Sequence, residues 1–536
     1  MLKKLFGALA IVATLSFALT SFAGCAPCEH SYSETSRTES TCIEPGKVVY
    51  TCDLCGGTKE EPLPLGDHDY AVTPTTPATF WEDGEGVYDC KLCDDNYQGV
   101  IKKGLATSGI PSLHFTFANQ DDFSKMSTTS AVSDSDKSEP TVSMVYKANG
   151  HDSEDFEGYA TLKFQGQTSR TYAKKNYNVK FFKDAELDKK NKVVLNDAWG
   201  KQNKYCLKAN WTDFSQSRNL IAARLWAQMV STRADVNPLL AQAANKGAMD
   251  GFPVIVYLND NYWGMYTLNT AKDEWAFNMD DNAGEGIMYM SKSVDWKSYV
   301  DENKTEPWEI EYNGTEDDGN DWMVNSFNSL IDLVNNKSSL TDAQWKTQIA
   351  TKLDVKAVVD WMIYSTSINA WDNYCHNTLF ATYDGSVWIP CMYDLDQTFG
   401  KQNSESSTLF SPTQYLPYFD GDTIKINAHN HSAIDKNKDP LWNKFYKLFR
   451  AELYARYIEL RATILTADNL SQMFNSWVQA IPQAIRDADY AKWPNQVYAS
   501  HYNKIDEFVG KYITYMSQRL TALDAFYDDV GDTLMT

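Results

Sequence analysis

The chain has 536 residues, 43% of them hydrophobic, which suffices for two or more domains and a sizeable core. Its formal net charge of −22 argues against nucleic acid as a partner, because contacts to a phosphate backbone need a basic face. After Cys25 no apolar run reaches the roughly 18–20 residues that span a bilayer.

Residues 1–24 combine two early lysines, an apolar stretch from Leu5 and small residues ahead of Cys25. That is the layout of a secretory signal peptide. The run SFAGC resembles a bacterial lipobox, in which Cys25 becomes the lipidated first residue; a plain signal peptide or an uncleaved anchor is the alternative reading. In every version the expectation is export to the outer face of a bacterial membrane, either lipid-anchored there or secreted.

Residues 25–105 hold an internal repeat, with copies at about 28–65 and 66–103. His30, Cys42, Cys52 and Cys55 are followed at a constant offset of 38 by His68, Phe80, Cys90 and Cys93. Tyr32 and Tyr70, Gly46 and Gly84, and Tyr50 and Tyr88 keep the same register. In the first copy, His30, Cys42, Cys52 and Cys55 are the donors of a possible Cys₃His zinc site. Oxidation to disulfides is the competing reading in an exported protein. The second copy has Phe80 where the third thiol would stand, and is expected to be a degenerate copy without a full ligand set.

From about Ile110 the composition is that of one α+β unit running to about residue 530. TVSMVYKA, ATLKFQG, KNYNVKFF and FPVIVYLND read as strands, and DNYW reads as a hairpin turn with Gly264 restarting the next strand. SQSRNLIAARLWAQMV reads as an amphipathic helix capped by Ser215 or Ser217. Residues 284–320, rich in Asp, Glu, Asn and Gly, read as a surface insertion. LTDAQWKTQIATKL and VKAVVDWMIYSTSINA read as helices, and the region from about Pro440 onward as mostly helical.

Two segments carry candidate chemistry. Residues 163–183, KFQGQTSRTYAKKNYNVKFFK, hold six basic side chains and no acid, a local inversion of sign. Such an island, with backbone N–H groups around its one glycine, can hold a polyphosphate; a solvated lysine face is the alternative. Arg170, Lys175 and Lys180 are its candidate phosphate contacts. The second segment runs from WDNYCHN to YDLDQTFG. It places Asp372 five residues before Asn377 and follows with Asp394 and Asp396, on what reads as a strand with both carboxylates to one side. His376 between them reads as a buried, hydrogen-bonded histidine.

FQGQTSRTYAKKNYNVKF, YCLKANWTDFSQSRNLIAARL, FPVIVYLNDNYWGMYTL and WDNYCHNTLF…WIPCMYDLDQTFG resemble, in order, four blocks of the spore-coat protein H (CotH) kinase family. Gln165 and Gln167 stand where that family usually has Arg and Asn, and Asp260 where it has the hairpin glycine. Thr270 stands in place of a glutamate, with Asp273 or Glu274 the nearest acidic substitutes. The resemblance implies an atypical protein-kinase-like fold and ATP-dependent phosphorylation of Ser or Thr in exported or surface proteins. It makes Asp372 the base or orienter of the substrate hydroxyl. Asn377, Asp394 and Asp396 become ligands of Mg²⁺ or Mn²⁺, hard cations that take oxygen donors. Two other functions remain open at this point: a decayed kinase fold that binds without turnover, and a surface carbohydrate-binding or structural protein.

Overall fold

In a computed structural model of the chain, the described residues are 30–76, 78, 82–103, 108–213, 215–291, 296, 298–301, 307–315, 319–374, 376–401, 409–420, 423–426, 440–496 and 505–535. Cys25 and Phe80 lie outside them. The chain divides into two compact units, one up to Lys103 and the other from Gly104.

The first unit contains two three-stranded antiparallel sheets, Tyr32–Thr38, Lys47–Cys52 and Thr58–Pro62, then Tyr70–Thr76, Gly84–Cys90 and Asn96–Ile101. Tyr32 pairs with Cys52 and Tyr70 with Cys90, so the 38-residue offset is also a structural repeat. Their apolar content is thin. Among the described residues before Lys103 the buried apolar side chains are Cys42, Val48, Cys52 and Cys90, while Ile43, Leu54, Leu65, Val72, Leu92 and Val100 are exposed.

The second unit is a mixed α and β structure with its helices concentrated in the C-terminal region. Seven strands close a barrel, in spatial order Asn176–Phe182, Lys204–Lys208, Asn261–Thr270, Gly251–Leu258, Ser112–Phe117, Thr141–Lys147 and Phe156–Gln165. All neighbours are antiparallel except Gly251–Leu258 and Ser112–Phe117, whose parallel pairing closes the ring. The strand Asn176–Phe182 alternates, with Tyr177, Val179 and Phe181 inward and Asn178 and Lys180 outward. Gly251–Leu258 is buried at every position, which explains its continuous apolar run.

A second, four-stranded antiparallel sheet follows the spatial order Trp308–Asn313, Gly286–Met290, Thr378–Thr382 and Ile389–Met392. The described residues of 284–320 are therefore no mere surface insertion. They supply two strands of this sheet, the second with half-buried Glu309 and Glu311 inside it, and Trp296 and Trp308 are fully buried against Phe327 and Phe380. Helices Asp321–Val334, Asp342–Ile349 and Val355–Ser367 occupy the expected places, and the C-terminal region runs as helices Pro440–Leu448, Arg450–Thr463, Ala467–Ala480, Gln483–Lys492 and Ile505–Met535. Trp226, Trp345, Trp361, Trp388 and Trp442 are also fully buried, so these rings fill the core. Among the described residues no helix is long and apolar enough to cross a membrane.

Three local expectations are corrected. The hairpin turns at Asn259 and Asp260, both at positive φ, as a two-residue turn matching the strand twist requires. Gly264 lies within the returning strand, where a Cβ would come 2.7 Å from Asp489 Oδ1 and Trp493 Nε1. Asp489, on helix Gln483–Lys492, is why that space must stay open: it accepts from the Met265 N–H (2.8 Å), Gln216 Nε2 (3.1 Å) and the buried Lys174 Nζ (2.9 Å). The helix Arg218–Ser231 does begin after Ser217, but neither serine side chain caps it. Asp213 does, accepting the Arg218 N–H at 2.8 Å while Ser215 bonds Asp213.

Candidate functional site

A cleft of about 530 Å³ lies between the barrel and the second sheet. One wall comes from the Gly166 turn, the strand ending at Lys208, and Asp213. The other comes from the segments around Asp372–Asn377 and Tyr393–Gln397.

On the acidic wall every expected residue arrives. Asp372 sits in a single helical turn after Trp371, and two donors hold its carboxylate. Asn377 Nδ2 lies 2.8 Å from Oδ2, and His376 Nδ1 lies 3.2 Å from Oδ1. His376 Nε2 lies 2.8 Å from the Ser291 carbonyl oxygen. With an acceptor at each ring nitrogen, only the imidazolium satisfies both contacts. Burial opposes that charge, but the hydrogen bond and charge of Asp372 and the Ser291 carbonyl outweigh it and raise the His376 pKa. His376 is thus hydrogen-bonded as expected, and it also orients Asp372. Asn377 adopts a positive φ, and its Oδ1 accepts from Tyr289 at 2.8 Å, which fixes its amide with the Nδ2 toward Asp372. Asn373 braces the segment, donating to the Asn377 and Tyr393 carbonyls at 3.0 and 2.7 Å.

Asp394 and Asp396 line the same cleft but not from a strand. The strand ends at Met392, Asp394 takes a left-handed conformation, and the Asn219 side chain receives the Leu395 N–H at 3.1 Å. A loop rather than alternation therefore presents both carboxylates. Burial and the charge of Asp394 push the Asp396 carboxyl above its usual range, against the pull of Lys208 and Arg218.

The basic wall departs further from expectation. Lys208, not selected from the sequence, pairs with Asp394 at 3.2 Å and is almost fully buried. Burial opposes its charge, but Asp394, Cys206 and Asp396 outweigh that and raise its pKa. Arg170 lines the cleft, yet its guanidinium is spent on four carbonyls, those of Gly166, Ser133, Asp136 and Phe164, at 2.8–3.1 Å. It shapes the turn rather than offering a free fork to phosphate. Gly166 has φ 87°, and a Cβ there would meet Ser169 Oγ at 2.1 Å, so the turn requires glycine. Lys175 is outside the cleft lining. It is buried, donates to the Tyr172 carbonyl, and burial lowers its pKa to about 8. Lys180 is also outside, because strand parity turns it outward, where it meets Glu139 at 3.4 Å. Thr270 is buried on the barrel, and both Asp273 and Glu274 pair with Lys204, so neither supplies a carboxylate to Lys208. The signal for Lys208 was its place in YCLKANW, opening the second block, one strand from the island.

Asp394, Asp396 and the remaining lone pair of Asn377 Oδ1 are hard oxygen donors, and a divalent cation would relieve the charge of Asp394 that raises the Asp396 pKa. The residues fit such an ion.

In the first unit the expected zinc set is not the one assembled. His30 Nδ1 lies 3.4 Å from both Cys52 and Cys55 Sγ, but Cys42 is elsewhere. It joins His68, Cys90 and Cys93 of the second copy. The Gly66 N–H donates to the Thr41 carbonyl at 3.0 Å, bringing the start of the second copy back onto the loop that carries Cys42.

The profile of the family described as CotH kinase protein matches residues 162–523, and the chain belongs to that family. No curated protein matches the chain. Membership in a kinase family implies ATP and a divalent metal as the groups the cleft would take.

Proposed function

We propose that this chain is an exported atypical protein kinase that transfers the ATP γ-phosphate to Ser or Thr hydroxyls of secreted or surface proteins. The observation that carries the reading is the meeting of Asp372, held by Asn377 and His376, with Asp394, Asp396 and Lys208 in one cleft. The kinase-like architecture rests on family membership and on the cleft between a barrel and a second, helix-backed sheet.

Asp394, Asp396 and Asn377 would hold Mg²⁺ or Mn²⁺, which supplies neutralisation of phosphate charge when bound. Lys208 carries a fixed positive charge to the same place. The Gly166 turn, clamped by Arg170, lets backbone approach the nucleotide closely. Asp372, held by Asn377 and His376, accepts a hydrogen bond from the substrate hydroxyl and orients it in line with the phosphorus. The hydroxyl proton passes to Asp372 as the new P–O bond forms and the bond to ADP breaks. Export and lipidation at Cys25 are part of the same proposal, motivated by the N-terminal sequence.

The test is incubation of the full chain with γ-labelled ATP, Mg²⁺ or Mn²⁺, and an extract of exported proteins. Label on Ser or Thr, absent with Asp372→Asn, supports the kinase. Tight Mg-ATP binding without transfer to any protein or to itself would leave a nucleotide-binding protein that does not turn over.

A further inference from the structure

We propose that the two cysteine-rich repeats share a zinc ion, held by Cys42 of the first repeat and by His68, Cys90 and Cys93 of the second. Cys42 Sγ lies 3.7 Å from Cys90 Sγ and 3.9 Å from Cys93 Sγ, and Cys93 Sγ lies 3.3 Å from His68 Nδ1. All four donor atoms fall within 4.8 Å of one another. A tetrahedral zinc with ordinary bond lengths has edges of about 3.8 Å between sulfurs and about 3.6 Å between sulfur and nitrogen. A disulfide would need its sulfurs at roughly 2 Å. The donors therefore stand at the corners of a metal polyhedron. Cys42 and Cys90 are buried, and the Leu92 N–H points at Cys90 Sγ from 3.5 Å, the kind of donor that steadies a metal-bound thiolate.

The need for an ion is visible in the packing. The described part of the unit buries almost no apolar side chain beyond Val48 and its cysteines, and units this small hold together through metal or cross-links. On binding, three thiols release their protons and neutral His68 gives its Nδ1 lone pair, so no oxidant or reductant is needed. The arrangement also gives Phe80 a meaning in the sequence. The first repeat hands Cys42 forward to the second, and the second repeat is followed by the large unit instead of a third copy. The thiol at that place has no recipient, and Phe80 stands there.

The test uses the full chain under reducing conditions, with zinc measured by elemental analysis and cysteine reactivity by alkylation and peptide mass spectrometry. Cys90 and Cys93 should be protected in the wild type and become reactive in Cys42→Ser, with Cys52 and Cys55 unchanged. Exposure of Cys52 and Cys55 instead would return Cys42 to its own repeat and overturn the proposal, as would failure to bind zinc or a Cys42–Cys90 disulfide in the unreduced map. His68→Cys guards against a misfolded Cys42 variant. It should keep the ion, and its cobalt spectrum should move from a three-thiolate to a four-thiolate pattern; an unchanged spectrum would exclude His68 as a ligand.

Discussion

The two walls of the cleft hold charge by opposite means. On the barrel wall Arg170 is consumed by four carbonyls and Lys174 by Asp489, while Lys208 meets Asp394 across the gap and Lys272, just past the barrel strand, pairs with Glu311 of the second sheet. On the facing wall the carboxylates sit at loop positions, part-exposed and held by a few short donors. Burial against backbone makes a charge part of the framework. Partial exposure beside one or two donors leaves it available to a ligand.

The strongest way to break this comparison is on the acidic wall. Asp394→Ala and Asp396→Ala should each abolish metal-dependent nucleotide binding in calorimetric titrations, while the fold persists by circular dichroism. The same titrations should show a pH dependence. The ion needs the Asp396 carboxylate, whose pKa is raised, so affinity should climb as pH rises through that raised value and fall as acid returns the proton. Asp372→Asn should separate binding from turnover: Mg-ATP affinity is retained, and phosphate transfer falls by roughly 10²-fold or more in single-turnover assays.

The barrel wall should respond with smaller effects of a different kind. Arg170→Ala should lower thermal stability by about 2–4 kcal/mol, since it orphans buried carbonyls and opens the Gly166 turn. Lys208→Met should weaken nucleotide binding by about 1–3 kcal/mol in the same titrations, the magnitude of one charge-assisted contact. Lys180→Ala should change both quantities by no more than about 0.5 kcal/mol, because its pair with Glu139 is exposed. A large loss of ATP affinity in Lys180→Ala would reverse the division drawn between the walls.

The same asymmetry decides what could be read from the sequence. Asp372 and Asn377 are five positions apart and short-stemmed, so their spacing nearly determines their separation, and both arrive with Asp394 and Asp396. The lysines have long stems whose direction depends on strand parity and on partners far along the chain. Parity alone turned Lys180 outward, and burial with a hydrogen bond to the Tyr172 carbonyl removed Lys175. Lys208 could not be distinguished from other strand lysines until the barrel had placed it opposite Asp394. Most strands and helices were legible from periodicity. The segment 284–320 was not, because its two strands are only five and six residues long and the second carries Glu309 and Glu311 within it. The cysteines show a related limit. Spacing gave the repeat, but which copy receives Cys42 is a question of tertiary contact.

Asp489 has a consequence for how this gene can be rearranged. Its carboxylate closes on Lys174, 315 positions earlier, and on the backbone beside Gly264, so the barrel is finished only by a helix near the end of the chain. A fragment stopping before that helix loses the counter-charge of Lys174, the acceptor of the Met265 N–H and the cover over both; removing the Asp489 carboxylate alone, with the helix in place, costs about 3–5 kcal/mol. Recombination that joined the first half of one family member to the second half of another would have to inherit both partners together. Novelty is therefore easier to add ahead of Gly104, from which none of the described cleft residues is drawn.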